Sequence, residues 1–174
     1  MRKCLIVAAL LISTAAIADP AYTPDGRLVP PTDYRDWIFL TAGFDLSYSE
    51  GPPRQTHTFG NVFVDRPSYA AFVKTGAWPD KTVFVLENRA GSPADPLVKQ
   101  GQFQAGPVTG MELHVKDAAH GGWAFYGIGK DGAPAAIIAK SAACYSCHQE
   151  RGQTDTTFTQ FYPTLARQPG NTQR

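Results

Sequence analysis

The sequence predicts an α+β fold: an antiparallel β-sheet with short helices, followed by a C-terminal helical segment. Two observations predict it. Segments rich in β-branched and aromatic residues, each bounded by turn residues, follow one another through the middle of the chain. The last third instead contains good helix formers and apolar residues at helical spacing. Because strands and helices are separated along the chain, the helices should cover one side or one end of the sheet.

Four segments are predicted to be strands, and they occupy positions 58–64, 82–87, 111–116 and 123–128. In the third, apolar and polar residues alternate, so one face should be buried and the other solvated. Met111 falls on the buried face. His114 shares the other face with Glu112 and Lys116, which favours an ordinary surface histidine.

Helix signals lie between the first two strands and again near the C-terminus. Asp65 is suited to cap a short helix and Gly76 to end it. Residues 135–147 are good helix formers and reach into the candidate site described below. Asp155 can cap a further segment whose apolar residues share one stripe, which Pro163 should kink or end.

The first residues have the features of a secretory signal, predicted to span 1–18. Arg2 and Lys3 precede an apolar run, and Ala16 and Ala18 form a small-x-small cleavage site. The run is shorter than the roughly 20 apolar residues that span a membrane. The sequence therefore predicts a periplasmic or secreted protein with no membrane span after signal removal.

The rest of the chain divides into an extended N-terminal arm at 19–33, one domain at 34–166 and a disordered tail at 167–174. Of 16 Lys and Arg residues, two leave with the signal, so 14 face 15 Asp and Glu, a net charge of −1. This charge provides no basic surface for nucleic acid.

The chemistry of the chain is concentrated in Cys144-Tyr145-Ser146-Cys147-His148. Cys4 leaves with the signal, so Cys144 and Cys147 are the remaining thiols. Their spacing is that of c-type haem attachment, in which both sulfurs bind the vinyl groups on one edge of the macrocycle. His148 would then project its imidazole under the iron. One covalently bound haem c is predicted, with His148 as the metal ligand.

Three other interpretations of the two cysteines are weaker. A thioredoxin-like site requires a βαβ context, which is missing from the surrounding pattern. A structural zinc site needs four ligands, so histidines such as His57, His114 and His120 would have to join the thiols. A disulfide would stabilise little across so short a loop.

The sixth position on the iron decides between a ligand-binding protein and an electron carrier. Met111 is the methionine that remains after processing, and Met/His ligation is typical of electron-transfer cytochromes. A methionine packed in the core is the commoner arrangement. Since His57, His114 and His120 do not stand out as ligands either, we predict an open sixth position.

Between about 34 and 165 the chain resembles the cytochrome P-460 family, together with its relative cytochrome c′-β. The segments that carry the resemblance are YRDW at 34–37, VFVD at 62–65, SY at 68–69, TG at 75–76, TVFV at 82–85, VKD at 115–117, GWAFY at 122–126, the haem motif, TD at 154–155 and FTQFYP at 158–163. The haem motif is common to many cytochromes, whereas its combination with WAFY and FTQFYP is much more specific.

The resemblance implies a mostly β fold with one C-terminal haem, a five-coordinate iron and binding of small nitrogen oxides. In the family's enzymes, hydroxylamine is oxidised at a haem with an extra covalent bond from a lysine, and Leu86 stands at that position here. Lys81 lies at an odd offset from Leu86, so a regular strand would point it to the opposite face. A pocket arginine of the enzymes falls at Gly60. Both departures disfavour hydroxylamine oxidation and favour a cytochrome c′-β-like protein.

The distal pocket is predicted to be apolar. Phe84 and Leu86 should share the face that looks at the haem, with Gly60 leaving space for a diatomic gas; ordinary core packing is the alternative for both side chains. We therefore expect a cytochrome that binds nitric oxide or a similar small ligand, with single-electron exchange with a redox partner protein as a further capacity. Whether it also acts as an enzyme is left open, and Leu86 at the position of the crosslinking lysine disfavours hydroxylamine oxidation. The alternatives are an oxidoreductase acting on hydroxylamine or nitric oxide and a six-coordinate electron carrier. A homodimer is left open.

Overall fold

The computed structural model describes residues 19–47, 50–52, 56–92, 97 and 99–166; the predicted signal and tail lie outside them. Within these residues the strands form one five-stranded antiparallel sheet in chain order. The elements are β1 Ile38–Phe44, β2 Thr58–Val64, α1 Arg66–Thr75, β3 Val83–Ser92, β4 Phe103–Asp117, β5 Gly122–Ile128, α2 Ala143–Arg151 and α3 Pro163–Ala166. Of the described helices, none is long and apolar enough to cross a membrane.

The structure confirms an antiparallel sheet with short helices, and the sheet is larger than predicted. β1 was not among the four predicted strands, and it forms because pairing with β2 satisfies its backbone despite Gly43. β4 begins eight residues before its predicted start. Gly106 and Pro107 resemble turn signals, but register shifts in the pairing with β3 accommodate this stretch.

α1 follows its local signals. The Asp65 side chain accepts a hydrogen bond from the backbone N–H of Ser68 at 2.8 Å, and Pro67 occupies the first turn, where a missing N–H is harmless. Gly76 ends the helix at φ 73°, a left-handed conformation that suits glycine.

The C-terminal third is less helical than predicted. The segment 135–142 is bridge and turn: Ala135 pairs with Leu28, and Ile137 pairs with Tyr126. These long-range pairings override the helix propensity of the alanines, so α2 starts only at Ala143. Pro163 begins α3 instead of ending a helix, as a proline at a first helical position can.

The two faces of the sheet are covered differently. The arm face bears Val85, Leu113 and Val115 and packs against Leu28 and Tyr34 of the N-terminal region. The helix face bears side chains from the alternate positions of the same strands and packs against α1, α2 and the C-terminal segment; its members include Phe84, His114, Trp123 and Phe125. The candidate site is on the helix face.

A buried acid on the arm face joins the sheet to the N-terminal region. Glu87 is 2% exposed and accepts hydrogen bonds from the Tyr34 hydroxyl, the Arg35 guanidinium and the Arg89 guanidinium. Burial by itself raises the pKa of Glu87, but the hydrogen bonds from Arg89, Tyr34 and Arg35 outweigh it and hold the pKa at about 2.

We expect the stability of Glu87→Gln to depend less on pH in the acid range than that of wild type. Since the folded pKa is about 2 and the ordinary value is 4.5, the ionised Glu87 stabilises the fold above pH 4.5 and this contribution disappears as pH falls towards 2. The free energy of unfolding, measured with urea, should therefore fall by up to about 3 kcal/mol more in wild type than in the variant over this pH range. Glu150→Gln, at an exposed site on α2, is the control. Parallel curves for wild type and Glu87→Gln would contradict the prediction.

Candidate haem-binding site

The predicted attachment motif lies on α2 and is docked on β5. The Tyr145 hydroxyl donates to the Ile138 carbonyl at 2.9 Å and accepts from the Phe125 backbone N–H at 3.1 Å. Cys144 and Cys147 are both free and part-buried. Positions three apart share one side of a helix, so both thiols are available to a single partner.

His148 is held by three rings and one carbonyl. Its ring centroid lies 4.6 Å from that of Phe125, 5.0 Å from that of His114 and 4.3 Å from that of Phe158. Its Nδ1 lies 2.8 Å from the Thr156 carbonyl oxygen, which can only accept, so Nδ1 carries the proton. Nε2 is therefore the nitrogen with a lone pair for a metal.

The electrostatics of the site favour a neutral imidazole at His148. Burial lowers its pKa, and the hydrogen bond to Thr156 offsets this only in part. The neutral form is the one that binds a metal.

His114 is not the surface histidine that the alternation pattern predicted. Its exposed fraction is 8%, and its ring stacks on Phe125 at 4.1 Å and lies 4.3 Å from the Trp123 ring. Burial lowers its pKa well below the ordinary value. The prediction was wrong because α2 and the C-terminal segment cover this part of a face that looks polar in the strand alone.

The structure separates the predicted distal residues into two groups. Phe84, Leu86 and Gly60 all lie on the helix face, as the strand parity predicted. Phe84 is buried between Trp78 and Tyr162, so core packing accounts for it. Leu86 is half-buried and adjoins Gly60: a Cβ at Gly60 would come within 3.0 Å of Leu86 Cδ1.

Two polar side chains beside this pair were missed. Glu112 is exposed and lies directly opposite Leu86 in the β3–β4 pairing. Asn88 pairs with Gly60, and its Oδ1 would lie 3.6 Å from a Cβ there. The prediction of an apolar pocket therefore left out two polar neighbours of Leu86 and Gly60. The alternation in β4 could have indicated this, since it places Glu112 on the same face as His114.

The residues present fit a haem. Gly127 follows Phe125 on the helix face and pairs with Glu112, and a Cβ at Gly127 would meet no atom within 4 Å. Two residues from Phe125, which contacts His148, the helix face therefore carries no side chain and leaves room for a flat group. Two free thiols on one helical side, together with an imidazole that offers Nε2, are the donor set that haem c requires.

The other candidate ligands lie elsewhere. Met111 packs against the arm-face core, on the opposite side of the sheet from His148. His57 pairs with Asp45 at 2.5 Å and His120 with Asp117 at 2.8 Å. Among the described residues, no three His, Cys, Asp or Glu side chains gather as a metal cluster.

Lys81, the other lysine considered for the haem bond, is also directed away. Its Nζ lies 2.6 Å from an Asp117 carboxylate oxygen. Asp117 in turn accepts from the hydroxyl of Tyr22, a residue packed against the arm-face core. This agrees with the expectation that Lys81 and Leu86 point to opposite faces.

Comparison with known proteins places this site within a recognised family. The family model described as Cytochrome P460 matches residues 31–159, a range that includes the whole sheet, α2 and the turn that contacts His148. No curated protein matches the chain.

Proposed function

Because this chain belongs to the cytochrome P460 family and is a haem cytochrome, we propose that it binds a single haem c covalently through Cys144 and Cys147, with His148 as the iron's protein ligand. The carrying observation is the hydrogen bond from His148 Nδ1 to the Thr156 carbonyl at 2.8 Å. It leaves Nε2 free on the same helix that bears both thiols.

The proposed activity is reversible binding of nitric oxide or a similar small ligand, with single-electron exchange as a second capacity. When bound, the haem supplies an iron that takes a diatomic ligand. His148 would hold the iron through Nε2, and its neighbours Phe125 and Phe158 shield the imidazole from water. Gly60 itself adds no side chain to this face, and the half-buried Leu86 beside it is the apolar neighbour proposed for a small ligand. The position of Met111 on the opposite face supports an open sixth site.

The coordination state is the direct test. We expect ferrous wild type to be high-spin and to bind carbon monoxide and nitric oxide without a slow displacement step, because no strong second ligand must leave. Met111→Leu should show the same spectrum and rates by absorption and stopped flow. A low-spin ferrous protein that becomes high-spin only in Met111→Leu would instead establish a six-coordinate electron carrier.

Glu112 favours a second candidate, an oxidoreductase acting on hydroxylamine or nitric oxide. Such chemistry needs a group that accepts protons, and the Glu112 carboxylate lies on the helix face opposite Leu86. Turnover of hydroxylamine with an artificial electron acceptor would distinguish this enzyme from a ligand-binding protein.

The proposal includes export, since 1–18 has the features of a signal. A mature N-terminus at Asp19, read by mass spectrometry, would support a periplasmic or secreted site of action. A redox partner protein and a homodimer belong to the same proposal and are open to cross-linking and sedimentation measurements.

A further inference from the structure

The turn after α2 has an unfavourable backbone. Asp155 and Thr156 both have positive φ, 49° and 63°, although neither is glycine and threonine is β-branched. Left-handed conformations are rare for such residues, and two in succession persist only when surrounding contacts hold them. Reciprocal backbone hydrogen bonds between Thr154 and Thr157, at 3.3 Å and 2.9 Å, close the turn locally, and contacts from other elements add to them.

The strained turn presents the carbonyl that contacts the proposed iron ligand. Thr156 supplies the oxygen that accepts from His148 Nδ1. Just after it, the Thr157 hydroxyl accepts from the Trp78 indole N–H at 2.9 Å and donates to the Thr154 carbonyl at 2.6 Å. These bonds pin the end of the turn but do not reach Asp155.

β4 holds the start of the turn through Lys116. Its Nζ lies 2.6 Å from an Asp155 carboxylate oxygen and donates to the Trp78 carbonyl at 2.8 Å. His114, two residues earlier on the same face, places Nε2 3.5 Å from the Thr156 hydroxyl. One ion pair and one long hydrogen bond thus join the strand to the two strained residues.

We propose that Lys116 is a positioning residue for the iron ligand, acting through Asp155. The ion pair keeps the turn in its left-handed conformation and so aims the Thr156 carbonyl at His148 Nδ1. A hydrogen bond to this nitrogen increases the electron donation of the imidazole and strengthens the iron–nitrogen bond. The inference rests on the proposed function, and it adds which residues orient the proposed iron ligand His148.

The test compares Lys116→Met, Asp155→Asn and the double variant as ferrous haem proteins. The measured quantity is the iron–imidazole stretching frequency, obtained by resonance Raman spectroscopy. A reduction potential would be less specific, because removal of one charge shifts it through space even when the hydrogen bond of His148 is unchanged. Each single variant should shift the frequency downwards and increase the five-coordinate fraction of the nitric oxide adduct. If the two residues act as one unit, the double variant should shift no further than either single variant. Lys116→Arg should restore part of the wild-type frequency.

Lys81→Met is the matched control. Lys81 forms an equally short pair, 2.6 Å from Asp117, and its side chain is 27% exposed like that of Lys116. It should lower stability without moving the frequency. Unchanged frequencies in Lys116→Met and Asp155→Asn, or an equal shift in Lys81→Met, would overturn the inference. A wild type without covalent haem would refute the proposed function itself, which is a separate outcome visible before any variant is measured.

Discussion

Replacement of both thiols, Cys144→Ala with Cys147→Ala, should abolish covalent haem attachment. Wild type should keep its pigment through acid and organic solvent, because thioether bonds survive both treatments. Without the sulfurs the haem has only the His148 bond, which does not survive denaturation. Mass spectrometry of the denatured chains is the measurement, and the mass of one haem should be present in wild type and missing from the double variant.

Single variants sharpen this test. Cys144→Ala and Cys147→Ala should each retain one thioether and therefore part of the attached haem. Ser146→Ala is the matched control, because Ser146 is exposed between the cysteines and only donates to the Ala143 carbonyl. A wild-type pigment that extracts freely into solvent would refute the assignment of Cys144 and Cys147.

Wild type should show an ordinary c-type spectrum and negligible oxidation of hydroxylamine with an artificial electron acceptor. A lysine bonded to the haem perturbs the electronics of the macrocycle, and Leu86 cannot form that bond. A general base typically contributes about 10²–10⁴-fold to a rate, so Glu112 alone is not expected to replace the missing chemistry.

Leu86→Lys alone should not create activity. The new amine would be half-buried, which lowers its pKa and allows it to ligate the iron as a neutral base, or it would pair with the Glu112 carboxylate opposite. Leu86→Lys with Gly60→Arg is the better attempt. The Cβ at position 60 would meet Leu86 Cδ1 at 3.0 Å, so both side chains have to change together.

Robust hydroxylamine oxidation by wild type would overturn the ligand-binding proposal. Glu112→Gln would then identify the proton acceptor, with an expected loss of about 10²–10⁴-fold in turnover. Ligand binding by the ferrous protein should change little in this variant, because the iron and His148 are untouched.

Several features were predictable because they depend on neighbours along the chain. The caps of α1 act within the segment that they end, through Asp65 and Gly76. The spacing of Cys144, Cys147 and His148 places both attachment thiols and the proposed iron ligand close together on one helix, whatever the rest of the fold. The alternation in β4 correctly placed Met111 in the core.

The errors fall where distant segments meet. Helix propensity failed at 135–142 because its backbone pairs with the N-terminal arm and β5. His114 was misassigned because burial depends on what covers a face, and the covering residues follow some thirty or more positions later. Propensity and periodicity contain no information about such partners.

By itself the sequence determined which reactive groups the site contains: two thiols and an imidazole on one helix, in a chain that otherwise consists mainly of β-strands. Only the tertiary structure decided how that imidazole is held. The Thr156 carbonyl, the Lys116–Asp155 pair and the burial of His114 arise from contacts between β4 and the turn after α2. Backbone direction in this turn depends on such long-range contacts as well as on its own hydrogen bonds, because the left-handed conformation is rare for a β-branched residue such as Thr156.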